Sequence, residues 1–323
     1  MIPLTELRTH GHTAGWSGRT DFDNPPRTLI GQRVCIRDAT RGWQEAAAKP
    51  GRPKLVYEID DNLWDIDYRS TRAHEFFNET GVADNINNNI KVADAVTVTT
   101  EHLADLVRPL NPNVHIIPNY LPAWLLDHQR PSQPGKVTIG WGGSQTHDMD
   151  LAEVGAQLRR YLDRAPQHVE LHVMGEPKPP PRRRGVTRPH TPWTEQYRIP
   201  EDRIRWTPWT TSVPDYWRAI DYDIMLAPLR PHPFNRSKSP LRVLEAAILG
   251  IPVIATDYGP YADFVDHGVT GLLAKTDHDW GRHLRALVED EAMRQEMGAN
   301  ARAKAAAWTI EGNIGLWEKV LTA

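Results

Sequence analysis

Side chains able to do chemistry concentrate in three places along the chain. The densest acidic run is Glu58-Ile-Asp60-Asp61-Asn62-Leu-Trp64-Asp65-Ile-Asp67. It follows the apolar stretch Lys54–Ile59, read as a strand, so Asp60 and Asp61 stand at a strand end, where a carboxylate can polarise or hydrogen-bond a hydroxyl. Helix capping competes with that use, as does cation binding by the Asp65-Ile-Asp67 triplet. A second place is Asn235-Arg-Ser-Lys-Ser-Pro-Leu-Arg-Val-Leu-Glu-Ala-Ala-Ile-Leu-Gly250. Ser239 suits an N-cap and Pro240 the first helical position, while Gly250 stops the helix. The helix start, the hydroxyls of Ser237 and Ser239 and the cation of Lys238 together suit a phosphate-sized anion; an ordinary capped helix with a surface lysine is the plainer alternative. Glu245 falls at the edge of the inward face formed by Leu241, Leu244 and Ile248, where a carboxylate needs a partner. The third place is a pair of glycine turns, Gly142-Gly143-Ser144 and Asp257-Tyr258-Gly259-Pro260, each just after a strand. Glycine there admits a ligand close to the backbone.

The elements that must position these residues alternate between short apolar runs and helical stretches, the pattern of α/β units around parallel sheets. Strands are expected at Thr28–Ile36, Lys54–Ile59, Ala95–Thr99, Val114–Ile117, Lys136–Trp141, Val169–Met174, Arg203–Trp206, Tyr222–Ala227 and Ile251–Thr256. Helices are expected over Asp38–Lys49, Thr100–Val107, Met149–Arg164 and Val213–Ile220, and from Ser239, with a stretch from Tyr68 to Ala93 interrupted at the Asn-rich Asn85–Asn89. Pro118–Pro122 and Pro131–Gly135 break the pattern. They put a boundary between a domain of residues 1–132 and one of residues 133–308, with residues 309–323 a helix crossing back to the first. In such sheets ligands sit outside the carboxyl ends of strands, where these turns lie.

The 323 residues are 40% hydrophobic and 24% charged with a net charge of -3, which fits two globular domains and excludes disorder and coiled coil. No apolar run approaches the roughly 18 residues of a membrane span, and the start of the chain does not read as a signal peptide, so a cytoplasmic location is expected. Residues 1–130 carry 14 Lys and Arg against 17 Asp and Glu, so bulk charge does not point to nucleic acid. The basic, proline-rich loop at 178–190 is the exception; its charge serves solubility in the simpler reading and an anionic acceptor such as nucleic acid in the other. His10 and His12 lie near Gly11, Gly15 and Gly18 and suit an acceptor loop or a loose terminus. Cys35, the single cysteine, rules out an intrachain disulfide.

Several segments resemble the retaining GT-B glycosyltransferases of the family 4 type, also called glycosyl transferases group 1. They are Leu244-Glu-Ala-Ala-x-x-Gly-Ile-Pro-Val-Ile-Ala, His267-Gly-Val-Thr-Gly-Leu-Leu, the paired helices of Trp280–Lys304, Val56-Tyr-Glu-Ile-Asp60-Asp61-Asn-Leu-Trp64, Ala93-Asp-Ala-Val-Thr-Val-Thr-Thr, Ile117-Pro-Asn119 and Ile139-Gly-Trp-Gly-Gly-Ser-Gln-Thr-His147. The resemblance implies two Rossmann-like domains facing a cleft, the first reduced, and transfer of a sugar from a nucleotide diphosphate sugar to an acceptor hydroxyl, without cofactor or metal. It places Glu245 on the donor ribose and the amides near Ser239 and Leu241 on the distal phosphate. Gly142, Gly143, Ser144, His147, Arg236, Ser237 and Gly259 join them around the donor, with Thr207 and Trp209 at the base. Asp60, Asp61 and Lys238 carry the chemistry. Ser237 stands where the family has the first glutamate of its Glu-x7-Glu motif, Trp141 and His147 replace a basic pair, and Asp263 replaces a glutamate. Arg236 and Lys238 can restore the charge. The expected acceptor is a glycan, lipid or small molecule. An epimerase or phosphorylase of the same fold, or a sugar-nucleotide binder without activity, are the alternatives.

Overall fold

The computed structural model describes residues 2–17, 26–143, 147–175 and 191–322. Ser144 and the basic loop at 178–190 lie outside the described residues. The chain forms two compact units: Met1–Pro122 with His232–Ser239 and Thr309–Ala323, and Ala123–Pro231 with Pro240–Trp308.

The first unit has a parallel four-stranded sheet, β1 (Thr28–Gln32), β2 (Lys54–Ile59), β3 (Ala95–Val98) and β4 (Val114–Ile116), in that spatial order. Helices cover both faces, so the strands read as continuous apolar runs rather than alternating ones; all of β3 is buried. Thr28–Ile36 ends early as a strand, at Gln32, because Arg33 turns the chain in a left-handed conformation (φ 47°). The Asn-rich segment is helical, within Val82–Val92, and the break falls earlier, before Gly81 at φ 93°. Its asparagines tolerate the helix because they are spent on fixed partners. Asn85 donates to the Cys35 carbonyl, Asn89 to the Val34 carbonyl and Thr40, and Asn87 accepts from the Trp64 indole. Helix Ile310–Thr322 belongs to this unit, with Val320 packed against Val56, Ala95 and Ile117. Helix Ile2–Thr9 joins it through Leu7, Ile310 and Ile314. His10 and His12 meet one oxygen of Glu318 at 3.0 and 3.2 Å, polar contacts between the first and last helices of this unit.

The second unit is a six-stranded parallel sheet of β5 (Val137–Gly142), β6 (Val169–Met174), β7 (Ile204–Thr207), β8 (Ile224–Ala227), β9 (Val253–Thr256) and β10 (Gly271–Ala274). The order β10-β9-β8-β5-β6-β7 is that of a doubly wound dinucleotide-type sheet, reversing direction between β5 and β8. Strand β10 starts inside the His267–Leu273 motif, opens on a glycine directly after a turn, and is not among the expected strands. The helix expected over Met149–Arg164 is two helices, Asp148–Leu151 and Gly155–Leu162. Where β5 meets β8, Gly140 has no room for a side chain, because the Tyr222 ring occupies the space and donates its hydroxyl to the Trp141 carbonyl at 3.2 Å. Gly140→Ala should therefore destabilise the second unit by about 3 kcal/mol or more. Gly315→Ala, in the open on helix Ile310–Thr322, should stabilise by up to about 1 kcal/mol. Denaturant unfolding of both variants checks the pair.

Candidate functional site

In the second unit, helix Leu241–Ile248 is enclosed rather than amphipathic, with Val243 through Ile248 all buried. Glu245 is only 6% exposed, and its carboxylate finds the partners that its position demands. Oε1 accepts from the Trp217 indole at 3.0 Å and Oε2 from Arg242 at 2.8 Å. The same Arg242 nitrogen donates to the Tyr216 hydroxyl at 2.7 Å. A carboxylate has about four lone-pair positions, so this cage fixes Glu245 and leaves acceptor capacity over. Burial pushes the Tyr216 hydroxyl well above the ordinary tyrosine range, keeping it protonated.

The glycine turn after β5 is tight for an internal reason. A Cβ on Gly142 would come within 2.5 Å of the Tyr216 hydroxyl, and one on Gly143 within 2.7 Å of the Trp141 ring. These glycines are thus demanded by packing from inside, and their backbone sits on the Glu245 cage through Tyr216. Trp141, standing at one position of the family's basic pair, is buried edge-on to Trp193. His147 bonds Asp150 at 3.1 Å, and the other oxygen of Asp150 accepts from the Arg230 amide at 2.9 Å, linking the turn after β5 to the exit from β8. Gly259 takes a left-handed φ of 58° at the start of helix Gly259–Phe264, directly after β9. Thr207 is the last residue of β7, and Trp209 two residues on is 64% exposed. The Thr207 hydroxyl meets His172, which meets Asp221, a chain of short bonds on the sheet face. Burial would raise Asp221, but His172 and Arg205 hold it below the usual carboxylate range.

In the first unit, Asp60 and Asp61 follow β2. Arg33 spans them, 2.8 Å from Asp60 and 3.9 Å from Asp61. Glu58, one strand residue earlier, has a buried oxygen without a partner among the described residues. Burial, together with the charge of Asp60, pushes its carboxyl up to about 7. Burial and Asp61 raise Asp60 as well, against Arg33. Asp65 accepts from Asn62 and Asp67 from Arg69, so each carboxylate of the Asp-x-Asp triplet has a local donor.

The segment of Arg236, Ser237, Lys238 and Ser239 also packs in the first unit, unlike Leu241 and Glu245. Ser237 is fully buried; its hydroxyl donates to the Pro233 carbonyl and its own carbonyl accepts from Thr100, so the hydroxyl does not face a ligand as expected. Ser239 does not cap the helix. Its hydroxyl accepts from Asn119 at 2.9 Å, and the cap position falls to Pro240 without a side-chain bond. Lys238 lies over the Phe234 ring at 4.9 Å, and Arg236 ends the short helix Pro233–Arg236.

Residues 141–290 match the family model of Glycosyl transferases group 1. That region of the chain resembles a glycosyl transferases group 1 domain. D-inositol 3-phosphate glycosyltransferase of Pseudarthrobacter chlorophenolicus is 41% identical over 80 residues, 24% of this chain and 19% of that protein. The chain thus matches about a fifth of the length of that curated relative. A TarM variant from S. aureus, solved with Fondaparinux, alpha-GlcNAc-glycerol and UDP, superposes with a TM-score of 0.62 at 18% identity, over 92% of this chain and 55% of its own. HepE from Anabaena, solved with UDP and glucose, gives 0.61 at 17% identity, over 88% and 76%. The two parallel-sheet α/β units are Rossmann-like units of the GT-B fold.

Sequence reasoning about the group 1 domain missed Arg242, Tyr216, Trp217 and Asp150, all of which touch expected site residues. Arg242, three positions before Glu245 on one helix, and Asp150, three positions after His147, carried a local signal. Outside that domain it passed over Glu58, whose position at the end of a buried strand was the available clue. Because the folded state binds the Glu58 proton more tightly than the unfolded chain, stability of the first unit should fall as pH rises from about 4.5 through about 7. Glu58→Gln should remove about 2–3 kcal/mol of that fall, read by denaturant unfolding between pH 5 and 8.

Proposed function

We propose that this protein is a glycosyltransferase that moves a sugar from a uridine diphosphate sugar to an acceptor hydroxyl with retention, the second unit holding the donor. The carrying observation is the Glu245 carboxylate, buried in the group 1 domain and fixed by Trp217 and Arg242 with lone pairs to spare for ribose hydroxyls. UDP is favoured because TarM and HepE were solved with it.

Transfer passes through a cation-like sugar while the departing diphosphate gains charge, so donors fixed beforehand around that diphosphate do the most work. The Gly142-Gly143 turn, His147, the start of helix Leu241–Ile248 and Gly259 supply them, with Arg242 as a cation. The reaction uses neither metal nor cofactor in this reading. The first unit serves the acceptor, a glycan, lipid or small molecule, through Asp60 and Asp61, with Glu58 added to them; Lys238 stays a candidate for the chemistry. A cytoplasmic place of action belongs to the same reading, and the buried free thiol of Cys35 fits a reducing compartment.

One observation favours a second reading. At the place of the family's first glutamate, Ser237 offers no carboxylate and no exposed surface, which suits a binder of nucleotide sugars that does not transfer. Thermal unfolding with UDP-glucose, UDP-N-acetylglucosamine and their GDP, ADP, CDP and TDP counterparts tests the donor. Saturation at 100 times Kd should add about 2.7 kcal/mol and several degrees to Tm for a UDP sugar. Glu245→Gln should weaken that binding about 10- to 100-fold. UDP release on adding acceptor separates transfer from mere binding, and no stabilisation by any of these sugars would overturn both readings.

A further inference from the structure

The carboxyl end of β2 is short of positive charge. Glu58, Asp60, Asp61 and Asp65 follow one another closely, and Arg33 is the one cation paired with any of them among the described residues, 2.8 Å from Asp60 and 3.9 Å from Asp61. Asp65 accepts from the Asn62 amide at 2.9 Å, which brings a hydrogen but no charge. Glu58 takes a proton in place of a partner, kept to about 7 by burial and by the charge of Asp60.

Deeper than these carboxylates stand polar atoms with nothing to bond. Thr97 of β3, 2% exposed, pairs with Glu58 in the sheet register and so lies beside it on the same face. Its hydroxyl has no partner among the described residues, and neither has Glu58 Oε2. Asn62, 1% exposed, gives its NH2 to Asp65 and keeps a buried, unpartnered carbonyl oxygen. The amide has this sense because a carboxylate can be met only by the NH2 end. All three atoms can accept a hydrogen. What this strand end lacks is hydrogen-bond donors and positive charge together. A neutral hydroxyl brings the first without the second. A metal ion needs converging ligands, and no three His, Cys, Asp or Glu side chains among the described residues are grouped to hold one. An ammonium group brings both, three donors on a single charge.

We propose that the acceptor carries an amine, and that the first unit recognises an amino sugar or amino alcohol through its ammonium, at Asp60 and Asp61 with Glu58, Asn62 and Thr97 beneath. The proposal rests on the glycosyltransferase reading above and narrows its acceptor. Asp60 and Asp61 have partly exposed side chains and present the charge, while the buried three supply acceptors to a group that has shed its water.

NMR titration of the full chain at about 0.15 M NaCl, where attraction by loose surface charge is screened, tests this. The probes are glucosamine, galactosamine and ethanolamine, each against its N-acetyl form, which keeps the hydroxyls and loses the charge. An amine should bind about tenfold or more tighter than its N-acetyl form. Asp61→Asn should bring that ratio near one and Asp61→Glu should keep it, with a thermal melt showing that each variant is folded. Should Asp61→Asn not fold, Asp60→Asn takes its place with the same expected loss. Equal binding within every pair, no binding of any amine, or a ratio unmoved by the asparagine variant would overturn the amine while leaving the donor reading intact. UDP titrated into the same samples reads that donor side by itself, and its failure to bind would overturn the transferase reading instead.

Discussion

The second unit is organised around a tyrosine ring seated on a glycine. Tyr222 fills the space beside Gly140 at the point where the sheet reverses its winding, and several of the surrounding contacts build out from it. Its hydroxyl bonds the Trp141 carbonyl, one residue before the glycine turn, and its ring stands edge-on to His172 at 5.4 Å. The residues on either side extend the effect. Asp221 belongs to the relay that ends at Thr207, and Asp223 accepts from the Thr138 amide at 2.7 Å while its own amide donates to the Thr138 carbonyl. Three consecutive residues thus hold β5, β6 and β8 in one arrangement. The pairing of β5 with β8 spans only Ile139–Ile224 and Gly140–Met225, so side chains supply much of the cohesion there.

Two carboxylates in the molecule show opposite answers to the same problem. Glu245 is buried but caged by an indole N–H and a guanidinium, which offset the loss of water around its charge. Glu58 is buried at a strand end with Asp60 close by, so it holds its proton to about 7, and one of its oxygens has no partner among the described residues. A caged carboxylate is a fixed acceptor for hydroxyls. One poised near neutrality can exchange a proton, and such groups gather at functional sites. The strained backbone at Arg33 belongs to this second arrangement: a left-handed non-glycine residue costs about 1 kcal/mol or more, and here it sets the guanidinium across Asp60 and Asp61.

The sequence was legible wherever a signal was local. Nine of the ten strands among the described residues stand out as apolar runs because both faces of each sheet are covered, whereas Gly271–Ala274 opens on a glycine directly after a turn. Gly250 marks the helix end and adopts φ 66°. What could not be read depended on partners far along the chain. Ser239 looks like a cap until Asn119 takes its hydroxyl, and the asparagines of 85–89 look like a break until Val34, Cys35 and Trp64 answer them. The same holds for Trp141, whose place in the core is decided by Trp193. Thr207 and Trp209 were visible as strand-end residues, but nothing near them in sequence announces His172 or Asp221.

Those distant partners give the strand end at Thr207 its polar surroundings. An isolated threonine hydroxyl rotates to suit its ligand, offering a hydrogen or a lone pair equally well. In this sheet Lys136 and Arg205 face Glu170 and Asp221, two cations against two carboxylates, at 2.5 to 2.9 Å. The Asp221 charge is shared between Arg205 and Nδ1 of His172, which leaves the other side of the ring facing a guanidinium that can only donate. Thr207 meets that ring at 2.8 Å, inside a buried network where a lost bond is costly. The polar surroundings of this strand end are therefore built from Arg205 on the strand itself, His172 on the neighbouring strand and Asp221 ahead of β8, and they follow from the charge pairing of the sheet.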